Sequence, residues 1–164
     1  MKAALVQINN SFAGQNYLPY SAAILQSYFS HNSPASSDYE FLPTIYKRLS
    51  VTSAVNHISD ASVVGFSLYV WNTRLSLAIA KAYKETNPDG IVFVGGPSTP
   101  DSSEKFLREN PYIDIALHNE GEISTSRLLE EITAGKNLVK DHSASFISKD
   151  KRNKNEIANR QTDQ

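Results

Sequence analysis

The sequence predicts an α/β domain of the flavodoxin-like (Rossmann-like) type, three layers deep, with a parallel sheet of about five strands. Two observations carry this. Short β-rich apolar runs alternate with segments of helical period for most of the length. The central runs, Val63–Leu68 and Ile91–Val94, are apolar without alternation, as strands covered on both faces are. Short connections between strand and helix then imply right-handed βαβ crossovers.

In chain order, residues 3–8 read as the first strand. Leu18–Phe29 follows as a helix with Ile24, Leu25, Tyr28 and Phe29 on one face. Tyr39–Leu42 is a weaker strand and Thr52–Ser59 a short helix. After the strand at 63–68, Leu75, Ala78, Ile79, Ala82 and Tyr83 recur at helical spacing, and Asn87-Pro88-Asp89-Gly90 ends that helix. The strand at 91–94 runs into Gly95-Gly96-Pro97. A helix spans Ser103–Arg108, with Asp101 and Glu104 at capping-box-like spacing. Ile113–Leu117 is a further strand, Ile123–Thr133 a helix with Gly135 just past its end, and Ala144–Ile147 a last edge strand. Lys149–Gln164 is polar and aperiodic, which divides the chain into a domain at 1–148 and a tail or interdomain linker at 149–164.

Composition removes several function classes. The 164 residues are 40% hydrophobic and 20% charged with a net charge of −1, so no basic surface for nucleic acid is expected. No run approaches a membrane span and no secretory signal is present, which makes the cytoplasm the expected location. The chain has no cysteine, hence no thiolate metal site, iron–sulfur cluster or cysteine nucleophile. Its four histidines (31, 57, 118 and 142) show no i, i+4 pairing and read as surface or loop residues. No catalytic residue and no metal ligand is expected.

Ligands of such sheets bind outside the carboxyl ends of the strands, so four segments are candidates. The first, Asn9–Gln15, contributes Asn10, Ser11 and Gly14. The second, Ser67-Leu68-Tyr69-Val70-Trp71-Asn72, places a hydroxyl, two large aromatics and an amide just past a strand, which suits a large amphipathic ligand or another protein. The alternative is that Trp71 packs under the next helix while Asn72 caps it. In the third, Gly95-Gly96-Pro97, two glycines let backbone approach a bulky ligand, or simply make a tight turn. In the fourth, His118-Asn119-Glu120-Gly121-Glu122, the carboxylates suit a helix N-terminus, and Gly121 permits close approach. None of these has the spacing of a dinucleotide fingerprint or a P-loop.

Taken together, Val64-Gly65-Phe66-Ser67, Trp71-Asn72, Lys84-Glu85-Thr86-Asn87-Pro88, Val94-Gly95-Gly96-Pro97, Pro111-Tyr112-Ile113-Asp114 and Glu120-Gly121-Glu122 resemble, in order and spacing, one family. It is the cobalamin-binding domain of cobalamin-dependent radical S-adenosylmethionine enzymes, and the resemblance covers residues 1–148. It implies cobalamin as cofactor, with Ser67 against the dimethylbenzimidazole tail and Gly95 and Gly96 making room for that tail. It implies that Tyr69, Trp71 and Asn72 face the corrin or its side chains. Leu68, Pro97, Glu120, Gly121 and Glu122 complete the expected binding set with Asn10, Ser11 and Gly14. A radical S-adenosylmethionine domain, in cis or in trans, is the implied partner, and methyl transfer the implied chemistry.

The departures from the family are informative. Asn9-Asn10-Ser11-Phe12-Ala13-Gly14 stands where related domains carry the Asp-x-His-x-x-Gly whose histidine ligates cobalt. Binding is therefore expected base-off, without a histidine ligand. The family often has glycine at Asn119, a residue that tolerates left-handed backbone. The Cys-x-x-x-Cys-x-x-Cys of the catalytic half is absent, so the chain is not catalytic alone and is expected to be either a piece of a longer enzyme or a stand-alone remnant. Two alternatives stand beside this reading: a degenerate flavodoxin-like domain serving as a protein-interaction module, and a binder of flavin or nucleotide.

Overall fold

The computed structural model describes residues 1–135. The expected edge strand at 144–147, and the boundary between 1–148 and the tail, lie outside the described residues. Seven strands and five α-helices follow in order: β1 (Lys2–Val6), β2 (Ser11–Phe12), β3 (Gln15–Asn16), α1 (Tyr20–Asn32), β4 (Glu40–Phe41), α2 (Val51–Ile58), β5 (Val63–Ser67), α3 (Thr73–Thr86), β6 (Ile91–Gly95), α4 (Ser103–Glu109), β7 (Ile115–Ala116) and α5 (Gly121–Thr133). A 3₁₀ turn at Ser36–Asp38 leads into β4.

The main sheet has the order β4-β1-β5-β6-β7 with every pair parallel. Apart from the β2–β3 hairpin this is the doubly wound flavodoxin-like order, so the expected fold class is what the chain adopts. Side-chain parity splits the core in two. Ala4, Val6, Val64, Phe66, Leu68, Val92 and Val94 pack against α2, α3 and α4. Ala3, Leu5, Val63, Phe93 and Ile115 pack against α1 and α5. The helices after β5 and β6 both cross on the first face, leaving those two strands covered on the other face only by α1 and α5.

Several elements differ from expectation for local reasons. The buried stripe of α3 is Ser76, Ile79, Ala80 and Tyr83, whereas Ala78 is exposed. Ser102, not Asp101, stands at the N-cap of α4, and its side chain makes no capping bond. The expected five-residue strand at 113–117 pairs as a strand only over Ile115–Ala116. Gly135 does stand past α5 with φ +69°. The β2–β3 hairpin was not anticipated. Its turn has Ala13 at φ 49° and Gly14 at φ 77°, the positive angles that tight hairpins need.

At the amino ends of the strands, the Lys84 ammonium lies 2.8 Å from Asp114, whose carboxylate also accepts from the Val92 N–H at 2.7 Å. Lys84 donates in addition to the Gly90 carbonyl. This ties the end of α3 to β6 and to the approach of β7, remote from the strand carboxyl ends. The stretches 84–88 and 111–114, which carry part of the resemblance, therefore act structurally. Asp114→Asn is expected to cost about 1–2 kcal/mol in urea denaturation, since the amide keeps an acceptor for Val92 but loses the charge.

Candidate functional site: the groove between α1 and α5

Between α1, α5 and the carboxyl-terminal half of the sheet runs a groove of about 310 Å³. Its floor has two rungs set by the strand register. Ser67 and Gly95 are paired on the outer rung; Leu5, Gly65 and Phe93 share the inner one. The Phe93 ring occupies the space a side chain on Gly65 would need: a Cβ there would lie 2.2 Å from Cζ. The inner end is thus apolar and closed by an aromatic ring. One wall is α1, with Tyr20 and Ile24 one turn apart and Ser21 and Leu25 likewise. The other is α5, with Gly121 and Thr125 one turn apart. Beyond the inner end, Ser33 donates to Glu130 at 2.7 Å and Tyr39 to the Leu129 carbonyl at 3.0 Å, pinning these walls together.

The two glycines of the β6–α4 turn have different reasons to be glycine. Gly96 has φ +102°, and a Cβ would sit 2.8 Å from the Leu68 carbonyl oxygen, so the chain's own backbone demands it. At Gly95 a Cβ would meet nothing nearer than Leu117 at 3.8 Å, so no contact inside the protein requires glycine there. Pro97 and Asn119 complete the rim, and Asn119 takes φ +66°, the left-handed backbone its amide tolerates.

The β5–α3 loop divides its residues between lining and support. Tyr69 reaches the groove, where its hydroxyl and that of Ser21 are hydrogen-bonded at 2.8 Å, joining loop to α1. Trp71 stacks on Tyr69 with ring centroids 4.7 Å apart and donates to the Ile8 carbonyl at 3.3 Å. Asn72, expected to face the ligand, is instead 1% exposed. Its amide donates to the carbonyls of Ile8 and Ser67 and accepts from the Tyr69 N–H, tying the ends of β1 and β5. It stands at the α3 N-cap without capping it. The side chain of Leu68, also expected in the binding set, does not line the groove. Adjacent strand residues face opposite ways, so its side chain is buried on the α2/α3 face, and only its backbone shapes the site, through bonds with Gly95 and Ser98.

Of the remaining expected residues, Gly121 and Glu122 line the groove. Glu120 does not; it holds the α5 N-cap position and its carbonyl accepts from Ser124. Asn10, Ser11 and Gly14 are exposed on or beside the β2–β3 hairpin, away from the groove lining. Behind them, buried Gln7 and Asn9 hold the entry to α1: Gln7 accepts from the Ala22 N–H, and Asn9 donates to the carbonyls of Tyr17 and Leu18. His118 leaves β7 hydrogen-bonded through Nε2 to the Ser103 hydroxyl. The α1 wall, Leu5, Phe93 and Thr125 went unforeseen, because their spacing is also that of ordinary core faces.

The phenols that burial holds above their usual range, among them Tyr83 at about 12, lie elsewhere. Among the described residues no helix is long and apolar enough to cross a membrane.

Fold and groove define a doubly wound α/β domain with a ligand-sized groove at the carboxyl ends of its strands. The family described as the B12 binding domain matches residues 20–129, and the chain belongs to it; cobalamin is its cofactor. The groove fits that group, since the open space beside Gly95 is one a side chain would fill. The cobalamin-dependent radical SAM methyltransferase TokK of Streptomyces tokunonensis is 33% identical over 121 residues, covering 72% of this chain and 18% of that protein. The 2-(S-pantetheinyl)-carbapenam-3-carboxylate methyltransferase of Streptantibioticus cattleyicolor is 33% identical over 123 residues, covering 73% of this chain and 18% of its own length. The chain thus corresponds to under a fifth of these relatives. A crystal structure of the pilus assembly protein CpaE from Caulobacter crescentus shares the fold, with a TM-score of 0.50 at 16% identity over 80% of this chain and 98% of that one.

Proposed function

We propose that this chain binds cobalamin base-off, with the nucleotide tail in the groove between α1 and α5, and that no histidine ligates the cobalt. The observation that carries the reading is the open space beside Gly95, paired with Ser67 on a floor otherwise lined by Leu5, Gly65 and Phe93. Ser67, Gly95, Gly121 and the α1 wall would hold the tail. The cofactor supplies methyl-carrying cobalt chemistry when bound; the protein binds it, orients it and shields the tail from water.

The partner in this reading is a radical S-adenosylmethionine domain, in cis or in trans, acting as a methyltransferase as the relatives' names state. The strand-end rim supports such docking. Phe12, Tyr17, Leu18, Tyr20 and Val70 are each at least 60% exposed there, an apolar surface unusual for an unpartnered face.

No histidine lines the groove among the described residues, and His118 is engaged with Ser103. The cob(II)alamin complex of the chain is therefore expected to show a base-off absorption spectrum. Its electron paramagnetic resonance spectrum should lack nitrogen superhyperfine splitting, and His118→Ala should leave it unchanged. Nitrogen coupling that disappears in His118→Ala would refute the ligation. A folded chain that takes up no corrinoid would favour the interaction-module reading.

A further inference from the structure

Helix α5 carries four hydroxyl side chains, and three of them are satisfied within the protein. Ser124 donates to the Glu120 carbonyl, Ser126 to the Glu130 carboxylate and Thr133 to the Leu129 carbonyl. Thr125 is the exception. It is 2% exposed, it lines the groove, and no group among the described residues bonds its hydroxyl. Its oxygen is not among the fully buried unpartnered ones, which among the described residues are those of Ser76 and Thr99, so it is open to the groove, where valine would keep the shape and lose the hydrogen-bonding atom. Thr125 stands one turn on from Gly121, in a groove whose inner floor is Leu5, Gly65 and Phe93. A polar ligand atom entering that part of the groove has few other side chains to bond.

We propose that Thr125 is a contact residue for the nucleotide tail, hydrogen-bonding a polar atom of the base once the base has left cobalt. The proposal rests on the tail-in-groove reading above and adds a residue and an interaction to it. A hydroxyl both donates and accepts, so it serves the ring nitrogen of a benzimidazole without imposing a charge in an apolar setting.

The test compares two corrinoids on three chains. Cobalamin carries the nucleotide tail; cobinamide has the corrin but lacks it. Wild type, Thr125→Val and Thr125→Ser are titrated with each by absorbance, and their thermal melts recorded. Thr125→Val is expected to weaken cobalamin binding about tenfold while leaving cobinamide binding unchanged. Thr125→Ser should bind cobalamin within about threefold of wild type, because the hydroxyl is retained. The melt of Thr125→Val without corrinoid should stay close to that of wild type, since the hydroxyl bonds no group among the described residues, whereas loss of a merely structural threonine would lower it. If valine crowds the helix, Thr125→Ala reads the same difference between the two corrinoids. Unaltered cobalamin binding by the valine and alanine variants, or equal weakening for both corrinoids, would overturn the assignment while leaving the groove reading in place. A wild-type chain that does not prefer cobalamin over cobinamide would overturn both.

Discussion

Gly95→Val is expected to weaken cobalamin binding by at least a hundredfold while changing the stability of the empty domain by less than about 1 kcal/mol. Gly95 ends β6 in backbone that any residue can adopt, and its Cβ would meet only Leu117, at 3.8 Å. A valine there is compatible with the strand and with its neighbours. What it removes is the open volume beside Ser67, where the tail is proposed to lie. Gly96→Val, one residue on, should behave in the opposite way. Its φ of +102° and the Leu68 oxygen 2.8 Å from a Cβ force the turn to distort, at a cost of about 3 kcal/mol or more. Titration and thermal melts of the two variants separate a glycine kept open for a ligand from one required by the turn. Normal cobalamin binding by Gly95→Val would remove the tail from this part of the groove.

The contrast between these glycines could not be read from the sequence, where they appear as one diglycine. What was legible was the sheet. Apolar runs at β1, β5 and β6 cannot be covered except on both faces, and that demand alone implies helices on either side. The carboxyl-end rule then pointed to four loops, and from three of them Ser67, Tyr69, Gly95, Gly96, Pro97, Gly121 and Glu122 line one groove.

The rest was hidden for physical reasons. Ile24 and Leu25 have the spacing of a core face, and periodicity does not distinguish a side chain against the core from one against a groove. Ser67 and Leu68 were expected together because they are neighbours in sequence, yet strand parity sends them to opposite faces. The hairpin strands β2 and β3 are two residues each and fully exposed, so no burial pattern marks them. Thr125 lies between two serines of the same helix, and only their hydrogen bonds set it apart. Asn72 suggested either a ligand contact or a helix cap; its amide is instead bonded to three backbone groups, and it makes no cap bond.

That last residue yields the largest expected loss of stability. The Asn72 amide donates to Ile8 at 2.9 Å and Ser67 at 3.0 Å and accepts from Tyr69 at 2.9 Å. These three backbone groups lie where β1 and β5 release the chain to helices on opposite faces, and of them the Ile8 carbonyl also accepts from Trp71. Asn72→Ala leaves all three without the amide, in a site 1% exposed, and is expected to cost about 3–4 kcal/mol in urea denaturation. Asn72→Asp tests the direction of the bonds. At neutral pH the carboxylate still accepts from Tyr69 but turns lone pairs toward two carbonyls. Burial among acceptors disfavours its charged form, so its folded-state pKa lies above the unfolded value of about 3.9. The neutral acid can donate, so the stability of Asn72→Asp is full below the unfolded pKa and is lost as pH rises through the folded one. Relative to wild type, this variant should therefore regain stability on acidification from pH 7 toward pH 4, and Asn72→Ala should not. Because Asn72 does not line the groove, the alanine variant, kept folded at low temperature, should bind cobalamin within about tenfold of wild type. Unchanged stability together with lost affinity would return Asn72 to the ligand-facing role expected from the sequence.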